Sequence, residues 1–108
     1  MPNFAVSLVR NDLHSDGVSF NFAGMQKEKL IIKNIRYESN NHSKEVSVIH
    51  PVFLGEKTDN VFFEFPEADT TYSKLHFQIK QENEIGWDVD VDLLTHKIVI
   101  EQAKYQVM

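Results

Sequence analysis

The chain has 108 residues, of which 42% are hydrophobic and 25% charged, and it contains no Cys. These values are typical of one ordinary globular domain and exclude a disordered chain, a fibrous protein and a fold held by disulfides. The net charge of −5 argues against DNA or RNA as a partner, because nucleic-acid affinity depends on Lys and Arg that neutralise phosphates. We therefore expect a single domain over residues 1–108 that binds no nucleic acid.

Residues 1–5 show no basic region followed by an apolar run, so no signal peptide is visible. No apolar stretch approaches the roughly 20 residues that a membrane helix needs, and we expect no membrane insertion. The absence of Cys is compatible with a reducing compartment, which favours the cytoplasm.

The first third of the chain predicts three strands, because apolar and polar residues alternate with a period of two. Residues 4–10 predict the first strand, and residues 18–22 predict a return strand after the turn signal at 15–17. Residues 23–28 are ambiguous between a loop and one helical turn. Residues 29–37 predict a long strand whose apolar positions 30, 31, 32, 35 and 37 indicate partial burial on both faces.

The middle of the chain is interrupted by turn signals. Residues 38–44 are polar and predict an exposed loop. Residues 45–54 predict a strand that contains Pro51, which lacks the N–H that a central ladder needs, so the strand lies at an edge or, as we prefer, breaks or bulges there. Residues 55–60 form the clearest turn signal, and residues 61–65 predict the next strand.

The C-terminal part holds the clearest pattern in the sequence. Residues 72–81 alternate, and residues 86–93 alternate strictly between apolar and acidic side chains, which only an extended strand would place on opposite faces. Residues 98–100 predict a last strand. Seven to nine such strands, at the spacing of about 8–12 residues expected for a sandwich, predict an antiparallel all-β sandwich. The pattern does not distinguish a jelly-roll from an immunoglobulin-like topology.

The acidic row Asp88, Asp90 and Asp92 raises the possibility of a calcium site. Alternate residues on a strand lie roughly 6.5 Å apart, however, whereas carboxylates that share a calcium converge to about 2.3–2.6 Å from it. Ligands from the 82–84 turn would have to join, and a solvated face is the favoured interpretation. If the ring of Trp87 were exposed beside Asp88 and Asp90, these three residues would suit a glycan; its phase with Val89 favours a place at the end of the core.

Catalytic signals are weak. The five His residues are widely spaced, no glycine-rich phosphate loop occurs, and no nucleophile motif is present. A metal-dependent enzyme with dispersed His, Asp and Glu residues, for example His50 with a carboxylate, is kept as an alternative. His50 itself lies in an apolar strand, which favours a hydrogen-bonded core residue.

The favoured function is a non-enzymatic β-sandwich module that acts by surface recognition, needs no cofactor, and self-associates through an exposed strand edge. The alternatives are a small carbohydrate-binding or calcium-dependent recognition domain and the enzyme above. The favoured function depends on the aromatic residues Phe53, Phe62 and Phe63, because surplus apolar side chains often mark a protein contact. Their exposure in the folded chain, together with that of Trp87, is the observation that decides how well this hypothesis stands.

Overall fold

A computed structural model describes residues 2–13, 16–24, 27–40, 42–54, 59–67, 70–82, 85–104 and 107. These residues form nine strands, and none of them lies in a helix. The strands are β1 (Phe4–Leu13), β2 (Gly17–Gly24), β3 (Glu28–Glu38), β4 (Ser43–Val46), β5 (His50–Leu54), β6 (Asp59–Glu64), β7 (Lys74–Gln81), β8 (Gly86–Asp92) and β9 (Ile98–Gln102). The described part of the chain thus contains no helix that could cross a membrane.

The strands form two sheets in which every pairing is antiparallel. The smaller sheet has the order β1-β2-β6, and the larger has the order β4-β3-β7-β8-β9, with β5 paired to the same edge of β3 as β4. The inward side chains of the two sheets pack against each other, so the prediction of an antiparallel β-sandwich is confirmed.

Aromatic side chains from both sheets meet in the middle of the core. Phe20 and Phe63 of the three-stranded sheet lie with ring centroids 5.0 Å apart, and Phe77 of the six-stranded sheet lies 5.6 and 5.1 Å from them. All three rings have no exposed surface. Edge-to-face pairs of this kind contribute about 0.5–1.5 kcal/mol each beyond the burial of their area. This cluster is therefore a main contact between the sheets.

A β-bulge in β3 explains why apolar residues occur on both phases of that strand. Leu30 and Ile32 are buried before the bulge, and Ile35 and Tyr37 are buried after it, so the inward phase moves by one residue. The pairing with β7 shifts between Lys33 and Arg36, and Asn34 adopts φ 55° at this point. The apolar residues that predicted burial on both faces of β3 therefore lie on one buried face, because the inward phase changes at the bulge.

The bulge coincides with a change of neighbour along the edge of β3. The half before it pairs with β5 and the half after it pairs with β4, and residues 47–49 join these two short strands. The preferred break at Pro51 is wrong, because the chain leaves the sheet before His50 and Pro51 pairs with Ile31 inside β5.

Pro51 is tolerated because β5 is an edge strand. The N–H of Phe53 points away from β3 and donates to the carboxylate of Asp59 at 3.4 Å. Since alternate residues of a strand point their N–H groups the same way, the missing N–H of Pro51 also lies on the side without a strand partner.

Other expectations differ in their boundaries. The predicted loop 38–44 is shorter, because Glu38 ends β3 and Ser43 already begins β4. The predicted turns at 15–17, 55–60 and 82–84, and the ambiguous segment 23–28, lie partly outside the described residues.

Asn34 should be the most conformationally demanding position of β3. The left-handed conformation costs a β-branched residue about 1–2 kcal/mol, whereas Gly and Asn adopt it readily. We expect Asn34→Val to lower the free energy of unfolding by about 1–2 kcal/mol in urea denaturation and Asn34→Gly to change it by less than about 0.5 kcal/mol. Gln78→Ala is the control, because it removes the 2.6 Å hydrogen bond between Asn34 and Gln78, together with the bond from Gln78 to Asp88, without changing the backbone. Equal losses for Asn34→Val and Gln78→Ala would contradict a role for the backbone conformation.

Candidate functional site

The acidic row lies on the outer face of the six-stranded sheet, where each carboxylate already has protein partners. Asp88 accepts a hydrogen bond from Gln78 at 2.8 Å, and Asp90 lies 2.7 Å from Nδ1 of His76. The backbone N–H groups of Thr95 and Leu94 donate to the carboxylate of Asp92 at 3.0 and 2.9 Å. Among the described residues, no three His, Asp or Glu side chains converge as metal ligands. The row therefore serves cross-strand pairing and a turn.

His76 is the centre of the polar contacts on this face, a role that its predicted outward orientation alone did not indicate. Its Nδ1 faces Asp90, and its Nε2 lies 3.8 Å from the carboxylate of Asp88. Asn34 donates to Gln78, which donates to Asp88, so these residues form a chain of contacts across β3, β7 and β8. His76 thus links β7 to β8 through the 2.7 Å contact of Nδ1 with Asp90, whereas Nε2, at 3.8 Å from Asp88, lies beyond hydrogen-bond distance, and the ring lines two surface clefts of this face.

Asp92 organises the turn between β8 and β9. The backbone N–H groups of Thr95 and Leu94 hold the pKa of its carboxylate below the ordinary value, because they stabilise the charged form. The turn continues with His96, whose N–H donates to the carbonyl of Asp92 and whose φ is 65°. This arrangement is an Asx-type turn, in which an Asp side chain replaces a backbone acceptor.

Trp87 lies in the core with 7% of its surface exposed. Its ring packs edge-on against Phe4 at a centroid distance of 6.1 Å, and its indole N–H donates to Oε1 of the buried Gln81 at 2.6 Å. The amide nitrogen of Gln81 in turn donates to Asn3 and Glu28. Trp87 therefore closes one end of the core and leaves no open indole face beside Asp88 and Asp90, on which the glycan hypothesis depends.

The three Phe residues of the protein-contact hypothesis do not share one surface. Phe63 points into the core and is fully buried, whereas Phe53 is 62% and Phe62 is 43% exposed. Phe53 lies on the outward phase of β5, where the ammonium of Lys29 stands 5.7 Å from its ring centroid. Phe62 lies on the outward phase of β6, and its ring lies over the backbone of Gly17. A Cβ atom on residue 17 would collide with this ring. The structure thus exposes two of the three rings.

Two further exposed apolar residues, which sequence reasoning missed, precede Phe53. Val48 and Ile49 lie in the segment between β4 and β5 and are 49% and 56% exposed. The predicted strand over residues 45–54 includes them, but they lie in the segment where the chain passes from β4 to β5, beside the bulge in β3. Val48, Ile49 and Phe53 form what we call the β5 patch.

His50 occupies the inner side of β5. Its ring stacks on Phe63 with centroids 5.1 Å apart and an interplanar angle of 7°. Burial lowers its pKa, because the protonated form loses hydration. Among the described residues no carboxylate contacts it, so His50 has an aromatic neighbour in place of the carboxylate that the enzyme hypothesis gives as its example.

The buried Trp87–Gln81 hydrogen bond should behave as a coupled pair. Gln81→Leu leaves the indole N–H unpaired, and we expect a loss of about 1–3 kcal/mol in the free energy of unfolding. Trp87→Phe removes the donor, so the double variant should lose less than the sum of the single losses. Chemical denaturation of the four proteins measures this coupling. Strict additivity would contradict the hydrogen bond.

Acid should destabilise the protein in part through His50. Its folded-state pKa lies below the unfolded-state value of about 6.5, so the unfolded chain binds the proton first and stability falls as the pH drops through and below that value. His50→Phe retains an aromatic ring against Phe63 and removes the titration. We expect the wild type to lose more stability than His50→Phe between about pH 7.5 and pH 5.5, measured by urea denaturation. If the stabilities of the wild type and His50→Phe fall equally with pH, His50 is not desolvated in the folded state.

Comparison of the chain with protein-family models, curated proteins and solved structures finds no match. The functional conclusion therefore depends on the geometry of the surface.

Proposed function

We propose that this chain is a recognition module that binds another protein through the β5 patch. The observation that carries the proposal is the exposure of Val48, Ile49 and Phe53 within one short stretch at a sheet edge. Isolated exposed apolar residues are normal, whereas several within one short stretch of chain favour an interaction surface.

The β5 patch combines an apolar surface with an unpaired strand edge. Within the described structure β5 pairs only with β3, so its other edge is free for most of its length. Pro51 removes one donor from that edge and Asp59 occupies the N–H of Phe53. Addition of a further strand is therefore hindered, and contact through side chains is favoured. This modifies the hypothesis of association through a strand edge.

The surroundings of Phe53 suit an aromatic residue at the centre of a protein–protein contact. The ammonium of Lys29 lies over one face of the ring, and Lys29 pairs directly with Phe53 across the strands. Large aromatic side chains with few rotatable bonds bind at low entropic cost, and basic side chains at the rim favour an acidic partner. The expected partner surface is apolar with acidic residues at its margin.

The alternative functions have less support. The carboxylates of the acidic row are used in cross-strand and turn contacts, the indole of Trp87 is buried, and His50 lacks a carboxylate among the described residues. The glycan hypothesis consequently has no open indole face to build on, the calcium hypothesis has no ligand cluster among the described residues, and the enzyme hypothesis has no carboxylate at His50.

Phe53→Ser should weaken partner binding by about tenfold or more, because truncation of a central aromatic residue costs more than about 1 kcal/mol at an interface. The measurement is affinity capture with the immobilised protein, followed by titration of the captured partner. Leu94→Ser is the matched control, since Leu94 is 72% exposed in the turn after β8, away from the β5 patch. Equal binding by the wild type and Phe53→Ser, or loss with both variants, would contradict the proposal.

A further inference from the structure

The strand β9 lies at one end of the six-stranded sheet, and within the described chain no strand pairs with its other edge. On the paired side, the carbonyl of Lys97 and the N–H of Ala103 each form a 2.9 Å hydrogen bond with the backbone of β8. Bonding directions alternate along an antiparallel pair, so the odd-numbered residues of this segment bond to β8. Ile98 and Ile100 therefore direct their N–H and C=O groups to the free edge.

The free edge of β9 lacks the features that hinder strand addition at β5. There, Pro51 removes a donor and Asp59 occupies an N–H group, whereas residues 97–101 contain neither Pro nor Gly. Farther along the chain, Val107 is buried against Gly86, at the Gln102 end of the strand pair. An unprotected strand edge with free backbone groups accepts a further strand.

The side chains along this edge have a self-complementary order. Lys97 precedes three apolar β-branched residues, and Glu101 follows them. Lys97 and Val99 line one of the clefts beside His76 on the outer face, and Glu101 shares their phase. If the segment pairs antiparallel with an identical segment about residue 99, each Lys97 lies directly opposite a Glu101. The charges at both ends of the segment are then matched.

From this order we infer that β9 pairs antiparallel with β9 of a second copy of this chain, with the two-fold axis at Val99. The N–H and C=O groups of Ile98 in each copy then bond to Ile100 of the other, and the two Val99 side chains contact each other. The six-stranded sheets of the two copies become one continuous sheet. This inference adds a second surface to the proposed function and does not depend on the β5 patch.

Electrostatics favour a second copy as the partner and favour this register. Among the described residues neither Lys97 nor Glu101 has an ion-pair partner, and Glu101 lies directly opposite Asp88 of β8. An ammonium group beside Glu101 relieves this like-charge pair. A register centred on Ile100 would set Glu101 against Val99, and one centred on Glu101 would set two carboxylates opposite each other.

Sedimentation equilibrium of the full chain tests the inference with two complementary variants of exposed residues. A single strand pair buries much less than the standard interface of about 1,600 Å², so we expect a wild-type dissociation constant of roughly 10 µM to 1 mM. Lys97→Glu sets carboxylates opposite each other and Glu101→Lys sets ammonium groups opposite each other, so each variant alone should dimerise about tenfold or more weakly.

An equimolar mixture of Lys97→Glu and Glu101→Lys should dimerise within about threefold of the wild-type affinity, because every Glu then lies opposite a Lys. Glu101→Lys also lowers the net negative charge of the chain. Tighter association of this variant alone would show that net charge governs the dimer, and would overturn the inference.

A single introduced Cys reports the register, because the chain contains no other Cys. Directly opposite residues that share no backbone bonds have Cα atoms about 4.5 Å apart, which a disulfide spans. In oxidised glutathione, Val99→Cys should form a covalent dimer about tenfold or more faster than Leu94→Cys, although Leu94 is 72% exposed and Val99 only 38%.

A wild-type monomer at all concentrations, no recovery of the dimer in the mixture, or equal cross-linking of the two Cys variants would overturn the inference. None of these outcomes removes partner capture that depends on Phe53, so failure of the inference is distinguishable from failure of the proposed function.

Discussion

The contact among Phe20, Phe63 and Phe77 joins the two sheets and sets which residues of β2, β6 and β7 face outward. Because strand residues alternate between faces, one inward ring on each strand decides which neighbours point outward. Phe63 in the core places Phe62 on the surface, and Phe77 in the core places His76 among the carboxylates of β8. The surfaces that carry the functional proposals are therefore set by the packing of the core.

The bulge at Asn34 extends this constraint along β3. Without the change of phase, Ile35 and Tyr37 would point outward and Arg36 would point into the core. The bulge also marks the place where β5 gives way to β4, which sends Val48 and Ile49 out of the sheet. The exposed residues Val48 and Ile49 thus lie at the place where β3 changes both its phase and its edge partner.

Much of the fold could be predicted from the sequence, because the strands obey a two-residue period. The strand β8 is the clearest case, since its apolar and acidic residues alternate without exception. The bulge could not be located, because apolar residues on both phases of 29–37 have two explanations that only the pairing with β7 separates. For the same reason the sequence did not predict the break before His50.

The surface was less predictable than the strands. The phase of β6 separates Phe62 from Phe63, yet composition alone grouped them as one contact. The place of Trp87 at the end of the core was predictable from its phase with Val89, whereas its hydrogen bond to Gln81, six positions earlier, has no signal in the sequence.

Amide hydrogen exchange of the free protein tests most directly whether the two sheets form one packed unit. If the Phe20–Phe63–Phe77 contact holds the sheets together, the slowest amides of β2 and β7 should exchange through the same global opening, with equal free energies and equal sensitivity to denaturant. Rapid exchange throughout β2 while β7 stays protected would show that the three-stranded sheet opens alone. That result would contradict the claim that the two sheets form one packed unit.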